Sequence, residues 1–231
     1  MKDIIIPFVY VAAAAFSFWL ISRNRIEIRS LLKYLGVTKL TILGVEMSVD
    51  PLGEVEKIRG GGAHREQLIK LAEIASPHIQ GKSILWVDDI PHGNKLERAS
   101  FRALGINVVN TLSTEEALDS LERDEFDLLI SDVGRGHEHN AGFQMLDKFF
   151  TPLNEHSQNI IVPPIIIYHG TPNKSSDRDK MAHEKGAIGA THIPSILYAS
   201  VLMELVRKQQ PSAYFQLRTQ AENMNLKPLI P

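Results

Sequence analysis

Between Ser83 and Lys208 five short apolar runs alternate with five helical patterns. The runs are Ser83–Asp88, Ile106–Val109, Asp127–Asp132, Pro164–Tyr168 and Ile188–His192. The first, third, fourth and fifth helical patterns cover about Asn94–Leu104, Gly142–Phe150, Asp177–Lys185 and Ile196–Lys208. The second opens at Ser113, where Glu116 stands three residues on as in a capping box, and Ala117, Leu118 and Leu121 form its apolar face. Gly105 closes the first helix as a C-cap signal. Such alternation predicts βαβ units and a parallel sheet with helices on both faces. The nearly all-apolar fourth run suits a strand covered on both sides.

Three of these strands' end residues carry chemistry. Asp88 and Asp89 end the first strand, and Asp132 ends the third. Open α/β sheets place their chemistry in a crevice at the carboxyl ends of the strands. Three carboxylates meeting there suit a hard cation that keeps several waters, so Mg²⁺ is the expected ion and Zn²⁺ the second choice. Neither GxGxxG nor GxxxxGK[ST] occurs, so no glycine-rich loop supports a nucleotide site.

With these residues in place, 83–208 resembles the receiver domain of bacterial response regulators, over a little more than half the chain. The resemblance implies a flavodoxin-like, doubly wound, five-stranded parallel sheet and a role in two-component signalling or a phosphorelay. It makes Asp88 and Asp89 the metal-binding pair, Asp132 the phosphoacceptor and metal ligand, and the carbonyl of Gly134 a main-chain ligand. Gly186-Ala187 and Pro194 match landmarks around the fifth strand. Three positions depart from the pattern. Ile193 stands where the family has a lysine that pairs with the acyl phosphate, and Ala190 stands where it often has a switch aromatic. At the end of the fourth strand the family has serine or threonine; here His169 fits the strand end, and Thr171 fits another placement of the loop. Without the lysine an acyl phosphate lacks a charge-assisted hydrogen bond, so weak labelling of Asp132 is expected. Arg135, close to Asp132 in sequence, is the cation expected to contact an anion instead.

His92, His137, His139, His169 and His192 all fall on loops or strand ends near the crevice. Imidazole binds transition metals and moves protons near neutral pH, which opens a second reading: a metal-dependent hydrolase or a nucleotide- or phosphate-binding enzyme on the same fold, with His169 as the histidine singled out. A third reading is a purely structural membrane adaptor.

Ile4 to Ser22 holds no charge in 19 residues. As a helix it spans roughly 28 Å, close to a bilayer core. Arg23, Arg25, Arg29 and Lys33 come directly after it, so the positive-inside rule places the carboxyl-terminal part of the chain in the cytoplasm. A cleaved signal peptide and a buried core helix are the competing readings. The formal net charge of −2 gives no global basic field, and no nucleic acid is expected. The absence of cysteine excludes disulfides and thiolate chemistry.

The organisation expected is therefore a transmembrane anchor over 1–25 and a short juxtamembrane β element over 26–60. A connecting helix over 61–80 ends at Pro77, a receiver-like domain covers 81–210, and a mobile tail or docking segment covers 211–231. The apolar stripe Leu68, Leu71, Ala72 and Ala75 either packs on the domain or pairs two copies as a homodimer. The function expected is a membrane-anchored signalling module of the inner membrane, single-pass, with no output domain. It would meet a histidine kinase or another signalling partner through its last strand, last helix and tail.

Overall fold

The computed structural model describes residues 39–42, 45–48, 65–150, 160–170 and 175–230. The uncharged segment 4–22 and Thr171 lie outside the described residues. Among the described residues no helix is long and apolar enough to cross a membrane. The chain divides into two units, Met1–Pro51 and Leu52–Pro231. In the first, β1 (Lys39–Ile42) and β2 (Val45–Ser48) pair antiparallel, with Lys39 opposite Ser48 and Ile42 opposite Val45.

The first described element of the second unit is α1 (Arg65–Ile79), and the described residues continue as alternating strands and helices. These are β3 (Ser83–Val87), α2 (Lys95–Ala103), β4 (Asn107–Thr111), α3 (Thr114–Arg123), β5 (Leu128–Ser131), α4 (Ala141–Phe150), β6 (Ile165–Tyr168), α5 (Ser175–Glu184), β7 (Gly189–Thr191) and α6 (Pro194–Arg207). A last helix, α7 (Pro211–Asn223), completes the unit. The five strands β3–β7 form one parallel sheet in the order β4-β3-β5-β6-β7. That is the flavodoxin-like order, whose switch point falls between its first and third strands, here β3 and β5.

The strand period of two divides the core into two layers. Ile84, Trp86, Leu128, Ile130, Ile166 and Tyr168 face a layer with α1, α2, α6 and α7. Leu85, Val87, Leu129, Ile165 and Ile167 face the other, with α3, α4 and α5. Ser113 caps α3, with Glu116 N donating to Ser113 Oγ at 3.1 Å, while the return arm of the expected capping box is shifted by one residue, Glu116 Oε2 accepting from Leu112 N at 2.8 Å. Gly105 takes φ +83°, as the C-cap reading requires.

Several expectations change. Helix α1 runs through Pro77 to Ile79 rather than ending at the proline. Proline removes one hydrogen bond in the last turn, while Ala75 and Ile79 on either side are fully buried in the core and hold that turn. Of the two uses of the α1 stripe, the structure shows packing: Leu68, Leu71 and Ala75 are buried against α6 and α7. Of the two readings of the segment after Gln210, the structure shows docking: helix α7 is anchored by Ala213, Leu217 and Ala221, with Met224, Leu226 and Ile230 buried beyond it. Residues 211–231 looked polar overall because only one face of α7 is apolar. As a result α6 lies between the sheet and a third layer of helices. All of α6 is buried except Ile196 and Arg207, so the last helix is not the contact surface expected of it.

Candidate metal centre

The register between β3 and β5 builds the site. Val87 pairs with Ser131, so Asp88 and Asp132 leave the ladder at the same level, and Asp132 N donates to Val87 O at 3.0 Å. Asp88, Asp89 and Asp132 each present a carboxylate oxygen, and these oxygens all lie within 4.8 Å of one another. With metal–oxygen bonds near 2.1 Å, two ligands on one Mg²⁺ stand at most about 4.2 Å apart, so the three carboxylates are within a small side-chain adjustment of sharing one cation.

Each carboxylate is held in place. Asp88 is buried and accepts from Ile90 N at 2.8 Å and from Asn94 Nδ2 at 2.7 Å. Asn94 is the N-cap residue of α2, yet its amide serves Asp88 and makes no side-chain cap. One turn on, the buried Arg98 guanidinium lies 3.9 Å from Asp88 Oδ2, over the Trp86 ring at 5.7 Å, and donates to the Pro91 carbonyl. Asp89 Oδ2 accepts from Gly136 N at 2.6 Å, and Asp132 Oδ1 from Val133 N at 2.7 Å. Asn94 and Arg98 escaped the sequence reading. Their spacing of four on one helix face was the available signal, but nothing in the sequence said that this face meets Asp88.

Glycine permits one close approach. A Cβ at Gly142 would lie 3.2 Å from Val133 Cα and collide with the Asp132 carbonyl oxygen. The start of α4 thus sits directly against the Asp132 backbone, with Gly142 N donating to Val133 O at 2.9 Å.

The electrostatics match an unneutralised carboxylate cluster. Burial above all, and then the charges of Asp88 and Asp89, push the Asp132 carboxyl up to about 6, against the opposing pull of the Val133 N–H and of Arg135. A divalent cation supplies the compensation that this cluster lacks, so the donor set fits Mg²⁺.

Asp132, Gly134 and His169 line one open cleft of about 480 Å³, together with His139 and Arg178. His169 is buried at the end of β6, with its ring centroid 5.6 Å from that of His192. His92 and His137 are exposed and do not line this cleft. Gly134 lines the cleft beside Asp132, and Ala190, the middle residue of β7, is buried in the core. Ile193 is exposed at the N-cap of α6 and does not line the cleft either. Arg135 does not serve as the expected anion contact. Its guanidinium donates to Ser131 Oγ at 3.2 Å and Thr114 Oγ1 at 3.0 Å, and it lines a different pocket between α3 and α4. Arg135 pairs with Glu138 in an isolated antiparallel bridge, and its side chain reaches Thr114 at the start of α3.

No protein-family profile matches the chain, and no curated protein matches it. Solved structures similar to it include a two-component response regulator from Clostridium difficile, at 18% identity and TM-score 0.44, covering 56% of this chain and 98% of that one. A chemotaxis response regulator of Vibrio cholerae is 18% identical at TM-score 0.41, covering 55% of this chain and 99% of that one. A Francisella response regulator receiver domain is 17% identical at TM-score 0.45, covering 56% of this chain and all of that one (100%).

Proposed function

We propose that this chain is a receiver-like signalling module that binds a divalent cation, Mg²⁺ by its chemistry, through Asp88, Asp89 and Asp132, and acts by contact with a signalling partner. The observation that carries this is the convergence of the three carboxylates within 4.8 Å at the sheet's switch point. When bound, the cation favours the ionised Asp132 carboxyl, which burial above all, with the charges of Asp88 and Asp89, otherwise keeps protonated below about pH 6. Asn94 and Arg98 hold Asp88, the Gly136 N–H holds Asp89, and the Val133 N–H fixes the orientation of Asp132. Asp132 is the acceptor in any phosphoryl transfer, and a histidine kinase is the class of partner that would supply it.

Titrating the full chain with Mg²⁺ tests the site. Low-millimolar or tighter binding is expected, weakened at least tenfold in Asp88→Asn and in Asp89→Asn, because each loses one anionic ligand. Equal affinity in those variants would remove the carboxylates from the site. A preference for Zn²⁺ that disappears in His169→Ala would favour the hydrolase reading, which rests on His139 and His169 lining the Asp132 cleft.

The module is tethered to the inner membrane through residues 4–22, with Asp132 on the cytoplasmic side. Support comes from 19 residues without charge, with arginines immediately after them. Full-length chain is expected in the membrane fraction, released by detergent and not by high salt. Deleting residues 1–25 is expected to move it to the supernatant. Full-length chain found in the supernatant would end this part of the proposal.

A further inference from the structure

We infer that Arg178 is the anion-holding residue of the Asp132 cleft, and that the ligand it holds is a phosphoryl-type oxyanion shared with the cation on the three aspartates. This rests on the cation reading of the aspartate cluster. Arg178 lies in the first turn of α5, outside every position that the receiver resemblance marks. It lines the same cleft as Asp132, Gly134, His139 and His169. Among the residues lining that cleft Asp132 is the single carboxylate, and the other ionisable side chains are two imidazoles and the Arg178 guanidinium. Once a divalent cation neutralises the aspartates, the cleft beside them is basic.

Among the described residues the Arg178 side chain makes no hydrogen bond and no ion pair. The other arginines near the site are occupied: Arg98 with Asp88 and the Pro91 carbonyl, Arg135 with Ser131 and Thr114. A guanidinium carries five donors and no acceptor, in a fork that matches two oxygens of a phosphoryl group. Ile193, just after β7, brings no charge to the cleft, whereas Arg178 of α5 lines it. The open cleft of roughly 480 Å³ leaves room for a phosphoryl group on a small carrier.

The test uses the full chain, saturated with Mg²⁺ and titrated with beryllofluoride, in wild type, Arg178→Gln and Arg178→Lys. Losing a charge-assisted hydrogen bond is expected to weaken beryllofluoride binding by roughly tenfold to a hundredfold in Arg178→Gln. Arg178→Lys is expected to fall between, since lysine keeps the charge and loses the fork. Affinity for Mg²⁺ alone is expected to stay within about twofold, which a variant that merely disturbed the fold would not preserve. Wild type that binds Mg²⁺ but not beryllofluoride, or Arg178→Gln that binds beryllofluoride as wild type does, overturns the role of Arg178 and leaves the cation site standing. Wild type that binds no Mg²⁺ overturns the cation reading and this inference with it.

Discussion

Leu217→Asp is expected to unfold the second unit or come close to it. Leu217 is 0% exposed and sits in the layer formed by α1, α6 and α7, whereas Phe215, two residues earlier on the same helix, is 63% exposed. Replacing Leu217 by aspartate removes a buried leucine, worth about 2–5 kcal/mol even on truncation to alanine. It also places a carboxylate among the buried apolar side chains of that layer. The sum is of the order of a domain's whole stability, about 5–15 kcal/mol. Phe215→Asp is the control and is expected to change the urea midpoint little. Similar midpoints for the two variants would show that α7 is not docked as described. Deleting residues 209–231 exposes the apolar outer face of α6 and is expected to cause self-association, visible by light scattering.

How much of the structure is legible in the sequence depends on the range of each interaction. The sheet was legible because each strand and helix announces itself locally: Ile84-Leu85-Trp86-Val87 before Asp88, Ser113 with Glu116, Gly105 after α2. The aspartate cluster was legible for the same reason, since in a parallel sheet the strand ends share one edge. The features beyond reach depend on which helix face meets which partner. The amide of Asn94 serves Asp88 rather than its own helix, and the Arg135 side chain bonds Thr114 on α3 although it is close to Asp132 in sequence. Arg178 reaches the cleft because α5 packs against β7, a contact with no local signature. Likewise α1 and α7 are modest amphipathic segments at opposite ends of the unit, and their burial comes only from meeting each other over α6.

Asp132→Asn is expected to be more stable than wild type at pH 8 without divalent cations, and less stable than wild type with saturating Mg²⁺. Folding raises the Asp132 carboxyl from 3.8 to about 6, so the folded state binds this proton more tightly than the unfolded chain does. The resulting stabilisation is complete below about pH 4 and is lost as the pH rises through 6. Above that, the folded protein holds a third carboxylate beside Asp88 and Asp89, relieved in part by Arg135. Asparagine removes the charge and keeps the shape. Its advantage at pH 8 is about 1–3 kcal/mol after allowance for solvent screening. At roughly 2–4 °C per kcal/mol for a unit of this size, that is a rise of several degrees in Tm, vanishing below pH 4. Added Mg²⁺ reverses the order, because a cation bound only to the folded state stabilises it by about 2.7 kcal/mol at a hundred times its Kd, and Asp132→Asn lacks one ligand. The same proton makes Mg²⁺ affinity fall by up to about tenfold per pH unit below 6. Melting curves at pH 4, 6 and 8, with and without Mg²⁺, decide the matter. Parallel curves for the two proteins at every pH would mean that Asp132 carries no strained charge, and an unchanged order in Mg²⁺ would mean that it is not a ligand.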